Sequence, residues 1–170
     1  MVTLRKRMVG LNESTIERFV FRVRRLIGMR EMVNVVVTSS SQLRALNRRF
    51  RGLDKPTDVL SFPSFHVGSR QLKSVAGDVV ISADIARDNA IRFGHSLGNE
   101  VRILILHGVL HLAGFDHEHD AGEMARKESR LRRQLKLEPA LIERTEITAA
   151  EIPTRKRAGK LRRSAKRRTA

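Results

Sequence analysis

The chain has 170 residues, no cysteine, 41% apolar residues and a net charge of +16. That length holds one well-packed domain plus a polar extension. The missing cysteines exclude disulfides, thiolate nucleophiles and thiolate metal sites, in keeping with a reducing cytosol. No run approaches the roughly 18 apolar residues of a membrane span. The charged start, MVTLRKRMVG, lacks the apolar stretch of a secretory signal.

Asn12 is a good N-cap for a helix running to about Gly28, with Ile16, Phe19, Val20, Val23 and Ile27 as its apolar stripe. The β-branched run VNVVVT (33–38) predicts a buried strand. Ser39–Ser41 then offers a cap for a helix carrying Leu43, Leu46 and Phe50. LDKPTD is turn chemistry, and VLSF (59–62) reads as a second strand stopped by Pro63. Residues 64–75, rich in Ser, Gly and Lys, read as a mobile loop. GDVVIS (77–82) predicts a third strand, followed by a helix over about Ala83 to Phe93. A further helix starts near Asn99 and carries VRILILHGVLHLAG, and a last amphipathic helix spans about Ala121 to Leu137, ending near Pro139. Strands and helices mixed in this order predict an α+β single domain with a small mixed sheet packed by helices.

The charge is unevenly placed. Residues 154–170 hold nine Lys or Arg and no acid, which leaves +7 for residues 1–153. A like-charge block with so little apolar surface cannot bury enough to fold, so the reading is a folded domain over 1–153 and a disordered basic tail over 154–170. Such arms bind polyanions by releasing counterions, and a basic cluster of Arg48, Arg49 and Arg51 in the body points the same way.

The segment HGVLHLAGFDH (107–117) carries the chemistry. His107 and His111 are four apart and share one helix face. Gly114 suits a helix stop in the left-handed conformation, after which the chain can turn back and deliver His117. Three imidazoles that leave a fourth position open for water are the arrangement of catalytic zinc; nitrogen-only ligation also admits copper, nickel or iron. The spacing matches the metzincin proteases, except that Gly108 stands where they carry a glutamate base. Loss of that carboxylate removes the proton carrier of peptide hydrolysis and counts against a metallopeptidase.

The blocks LNRRFRGLDKPTDVLSFP (46–63), GDVVIS (77–82) and HGVLHLAGFDH (107–117), in this order and spacing, resemble the YbeY family of bacterial rRNA maturation endoribonucleases over roughly residues 33–135. The resemblance implies a zinc-dependent, single-strand-specific endoribonuclease of the cytoplasm, acting on ribosomal RNA of the small subunit in 16S 3′-end maturation and in ribosome quality control. It implies a zincin-like metal-site helix, one zinc ion held by His107, His111 and His117, and a functional role for Arg51. The basic tail lies outside the family pattern.

A guanidinium can hold two phosphoryl oxygens at once, and Arg51 is placed in the turn beside DKPTD, in reach of a groove. The plainer reading keeps it in an exposed basic patch with Arg48 and Arg49, as an RNA-binding residue. Asp78 and Asp116 are candidates for orienting a ligand or transferring a proton, against plainer readings as a strand-end cap and a turn residue. Glu100, about 10.5 Å along the helix from His107, is too far for direct proton transfer. His66, His95 and His119 read as ordinary polar residues, with His119 or Asp116 the candidates for a fourth metal ligand. With no tryptophan or tyrosine, and phenylalanines at core-like positions, the chain offers no evident platform for stacked bases. RNA binding through Arg48, Arg49, Arg51 and the tail is therefore expected to be mainly electrostatic. The competing function is a non-catalytic rRNA-binding assembly factor with a structural zinc.

Overall fold

Strands β1 (Val2–Leu4), β2 (Met32–Thr38), β3 (Val59–Pro63) and β4 (Val75–Ser82) form one mixed sheet, in the order β1-β2-β4-β3. This is a computed structural model, describing residues 1–64, 75–117 and 119–137. β2 runs parallel to β1 and β4, and β3 lies antiparallel to β4 at the edge, with Ser61 opposite Val79 and Phe62 opposite Asp78. The helices are α1 (Glu13–Ile27), α2 (Ser40–Arg51), α3 (Ala83–Phe93), α4 (Leu97–Leu112) and α5 (Glu123–Leu135). The expected α+β domain with a small mixed sheet is what forms. The expected mobile loop falls almost wholly, and the basic tail entirely, outside the described residues.

The alternation of the strands sorts the helices into two layers. Val33, Val35 and Val37 of β2 and Val79 and Ile81 of β4 point to one face, where they pack with α1, α4 and α5. Val36, Leu60, Phe62 and Val80 point to the other face, which α2 covers with Leu43 and Leu46. α4 is buried along its length from Glu100 to Leu110 apart from Arg102, so its sequence is apolar on almost every side rather than in a stripe. Truncating one of its enclosed leucines to alanine would remove about 2–5 kcal/mol of stability.

Side-chain oxygens of Asn12, Ser39, Ser82 and Ser96 each accept an amide of the following first turn, which starts α1, α2, α3 and α4 at those points. Ser96, not Asn99, is thus the start of α4. β3 also continues through Pro63, because it is an edge strand and proline tolerates an edge. β1 was not anticipated. Only Val2 of its three residues is buried, and its partner β2 lies more than thirty residues away. Its outer amides are satisfied by α1: Leu4 N donates to Glu13 Oε1 (3.0 Å) and Val2 N to Glu17 Oε1 (3.3 Å). The edge is thereby blunted against further pairing.

Candidate metal centre

α4 presents His107 and His111 one turn apart, with ring centroids 4.8 Å from each other. The helix then closes in a Schellman turn: Phe115 N donates to Leu110 O (3.1 Å) and Gly114 N to His111 O (3.0 Å). Gly114 has φ +90, a conformation in which a side chain would be strained. Phe115 packs back onto the core, and the reversed chain brings His117 to 5.3 Å, centroid to centroid, from both other rings. The ligand atoms of the three histidines lie within 4.8 Å of one another. The expected triad is therefore assembled, from a buried His107 through a half-buried His111 to an exposed His117.

The donor set fits a metal ion. His107 Nε2 and His111 Nε2 face each other at 3.2 Å, close to the edge of about 3.3–3.4 Å of a tetrahedron with metal–nitrogen bonds of about 2.0–2.1 Å. On the far side of the ring, His107 Nδ1 lies 3.0 Å from Glu128 Oε2, so Nδ1–H donates to the carboxylate and Nε2 keeps its lone pair for the centre. Burial, reinforced by His107 and His117, pushes the His111 imidazole down to about 4, against the opposing effects of Asp116 and the Phe115 backbone. His111 is therefore neutral near pH 7, the form that ligates a metal.

Glu128 escaped the sequence reading. Its side chain is 0% exposed, and Oε1 also lies 3.5 Å from Arg132 Nη1, one turn further along α5. α5 is held in place at its start by Asp120, whose Oδ1 accepts the amides of Gly122 (2.7 Å) and Glu123 (3.1 Å) and whose Oδ2 accepts that of Met124 (2.7 Å). The signal was present in the spacing: Met124, Glu128, Leu131 and Leu135 fall on one helical stripe, so Glu128 occupies a core position of an otherwise charged helix.

The glycine at 108 has a packing reason. A Cβ there would meet Val79 Cγ1 at 2.7 Å and Ser61 Oγ at 3.0 Å. The backbone is held against the sheet by the Ser61 hydroxyl, which donates to Gly108 O (3.1 Å). No glutamate fits at this position, which faces β3 and β4.

The other expected residues separate into two places. Asp78 is exposed on the α2 face of the sheet, where its carboxylate accepts from Asn34 Nδ2 (2.9 Å), because strand alternation turns Val79 toward α4 and Asp78 away. It is not brought to the histidines; Glu128 holds the ligand-orienting position instead. Asp116 bonds His119 Nδ1 (2.6 Å) on the exposed rim, and neither joins the three-histidine group. Glu100 is fully buried and bonds His95 Nε2 (2.7 Å), whose side chain is almost wholly enclosed, as suits a polar residue outside the site. His66 lies outside the described residues. Arg51 is the last residue of α2 and not part of the turn; Gly52, with φ +72, caps the helix behind it. Arg48, Arg49 and Arg51 are all exposed there, their charges favoured by the negative end of the helix dipole. The turn itself is tied back to α2 by Arg44, which donates to both oxygens of Asp54 (2.8 and 2.9 Å), and by Asn47 Nδ2 on Lys55 O (2.9 Å).

A three-histidine centre on a helix stop, braced by a buried carboxylate and backed by a mixed sheet, defines an α+β protein with a metal-binding site. Over residues 5–136 the chain matches the family model for endoribonuclease YbeY, and it belongs to that family. An endoribonuclease YbeY of Koribacter versatilis is 53% identical over 157 residues, 92% of this chain and 99% of that protein. One from Helicobacter pylori is 42% identical over 125 residues, 74% of this chain and 86% of that protein. A Thermotoga maritima protein of known solution structure aligns with a TM-score of 0.54 at 25% identity, covering 92% of this chain and all of that one. No helix among the described residues is long and apolar enough to cross a membrane.

Proposed function

We propose that this chain is a zinc-dependent, single-strand-specific endoribonuclease of the cytoplasm that acts on small-subunit ribosomal RNA, in 16S 3′-end maturation and ribosome quality control. The observation that carries the reading is the convergence of His107, His111 and His117, with His107 Nδ1 committed to Glu128 and the exposed His117 on the accessible side. These three imidazoles would hold one zinc ion. Bound there, zinc supplies Lewis acidity toward a phosphoryl oxygen and lowers the pKa of water toward about 7. Glu128 fixes the tautomer and plane of His107, and the apolar residues around it keep water from the buried side of the site. Arg51, with Arg48 and Arg49, presents guanidinium groups to the phosphates, where they neutralise charge that develops during cleavage.

A non-catalytic assembly factor with a structural zinc would share the histidines and the basic surface. Against it, the group has three members and no fourth among the described residues, which leaves coordination for water or substrate. Gly108, with no space for a side chain, argues against a peptidase. The test is cleavage of single-stranded and duplex RNA by wild type, His111→Ala and Arg51→Ala. Strong loss in both variants with the duplex spared supports the nuclease; wild-type rates in both would sink it.

A further inference from the structure

Helical spacing puts Phe50 in line with Leu43 and Leu46, yet its side chain is not in the core. Leu43 is fully buried, whereas Phe50 is 58% exposed. The ring stands against Phe62 of β3, centroids 5.1 Å apart and planes at 66°, an edge-on contact that fixes its orientation. The Arg49 guanidinium lies over the ring, 5.2 Å from its centroid, and Arg48 and Arg51 are close by in sequence, all exposed. The result is a rigid aromatic face among cations, the two components of a single-strand binding surface. Leu53, also exposed, adds apolar surface on the adjoining turn.

Its location bears on the metal centre. Beyond the phenyl ring, the Phe62 carbonyl meets Gly77, and Leu112 Cδ2 closes on the same glycine; a Cβ at Gly77 would clash with both. Leu112 is the residue after His111. Phe62 therefore has the exposed ring on one face of the sheet and, through Gly77 of β4, the end of α4 on the other.

We infer that Phe50 is a stacking platform for an unpaired base of the RNA substrate, the exposed Arg49 side chain leaving its place over the ring to take an adjacent phosphate beside Arg48. This rests on the RNA-cleaving reading above and assigns a residue to its strand preference. A base in a duplex has its faces covered by its neighbours and cannot stack on Phe50, whereas any of the four bases in a single strand can, so the contact selects strandedness and not sequence. It adds an aromatic contact to the mainly electrostatic binding expected from the arginines and the tail.

The experiment measures affinity of the full-length, zinc-loaded chain for a short single-stranded RNA whose integrity is checked after each measurement. Phe50→Ala is expected to weaken binding on the order of tenfold while leaving the slope of log affinity against log salt unchanged, and Phe50→Tyr to restore it. Phe21→Ala, at the exposed Phe21–Arg25 pair on α1, serves as the control and should bind as wild type does. Phe50→Trp places a single tryptophan in a chain that has none. Its fluorescence should be quenched by the RNA and not by an abasic strand of equal length. Wild-type affinity in Phe50→Ala, an equal loss in Phe21→Ala, or equal quenching by the abasic strand would overturn the platform; the first would leave the patch to a protein partner. Because binding is read separately from cutting, RNA that binds through Phe50 but is never cleaved would overturn the nuclease reading alone.

Discussion

Glu128→Gln and Glu128→Ala test how the centre is braced. The carboxylate accepts the His107 Nδ1–H bond at 3.0 Å and is shielded from bulk solvent, so in the intact protein it does not compete with water as the acceptor. Removing such a partner of a metal-ligating histidine lowers metal affinity about 10- to 100-fold, or ~1.4–2.7 kcal/mol. The full burial argues for the upper half of that range in the alanine variant. Alanine also takes a carboxylate from the buried Arg132, and breaking a buried ion pair costs about 3–5 kcal/mol of fold stability. Glutamine is therefore the more informative change. It retains the shape and an acceptor oxygen but not the charge, and its loss of affinity should be the smaller of the two. Zinc affinity would be measured by competition with a chromophoric chelator at fixed pH, beside thermal unfolding of the metal-free proteins to confirm that each is folded. If both variants fold and bind zinc as tightly as wild type, Glu128 does not orient His107 and the account of the centre fails.

Gly108→Ala should lower stability despite the ~1 kcal/mol that alanine gains over glycine in a helix, because its Cβ meets the enclosed Val79; overpacking of this kind costs about 1–3 kcal/mol. Urea unfolding checks this, and unchanged or raised stability would contradict the packing argument. The Lys6 ammonium, followed by the Ser40 amide, holds the Asp84 carboxyl below its ordinary 3.8. Its contribution is therefore present above about pH 3.8 and lost as the pH falls through the lowered folded value. Asp84→Asn should flatten the acid limb of an unfolding-against-pH curve in that window; an unaltered limb would remove Asp84 from the acid response. Deleting residues 154–170 should weaken association with single-stranded RNA and reduce its salt slope, by about 0.7 for each phosphate that the tail neutralises. Unchanged affinity and slope would make the tail a solubility element.

What could be read from sequence was local. The triad follows from two histidines four apart, a glycine that can take positive φ, and a third histidine just beyond, all within eleven residues. The helix starts at Asn12 and Ser39 were equally legible, since a cap and its amide are three residues apart. Contacts between distant segments were not. Glu128 is 21 residues from His107, and among the charges of EMARKESRLRRQL it resembles one more solvated group until the stripe through Met124 and Leu131 is followed. Asp78 was misplaced because the side of the sheet that α4 occupies is decided by packing, not by the strand's own pattern. Phe50 has core spacing, but α2 extends past the cover that Leu60 and Val80 give Leu43, so its last turn projects into solvent. β1 depends on a pairing with β2 for which its three residues carry no signal.

The most direct test of the central claim is cleavage of a labelled precursor 16S 3′-end RNA by rigorously repurified protein, before metal stripping, after it, and after zinc is restored, with His111→Ala run alongside. The account predicts cutting that disappears on stripping, returns with zinc, and is absent from the variant in every condition. Tight RNA binding with no metal-dependent cutting in any of them would contradict it and assign the three histidines to a structural role in an assembly factor.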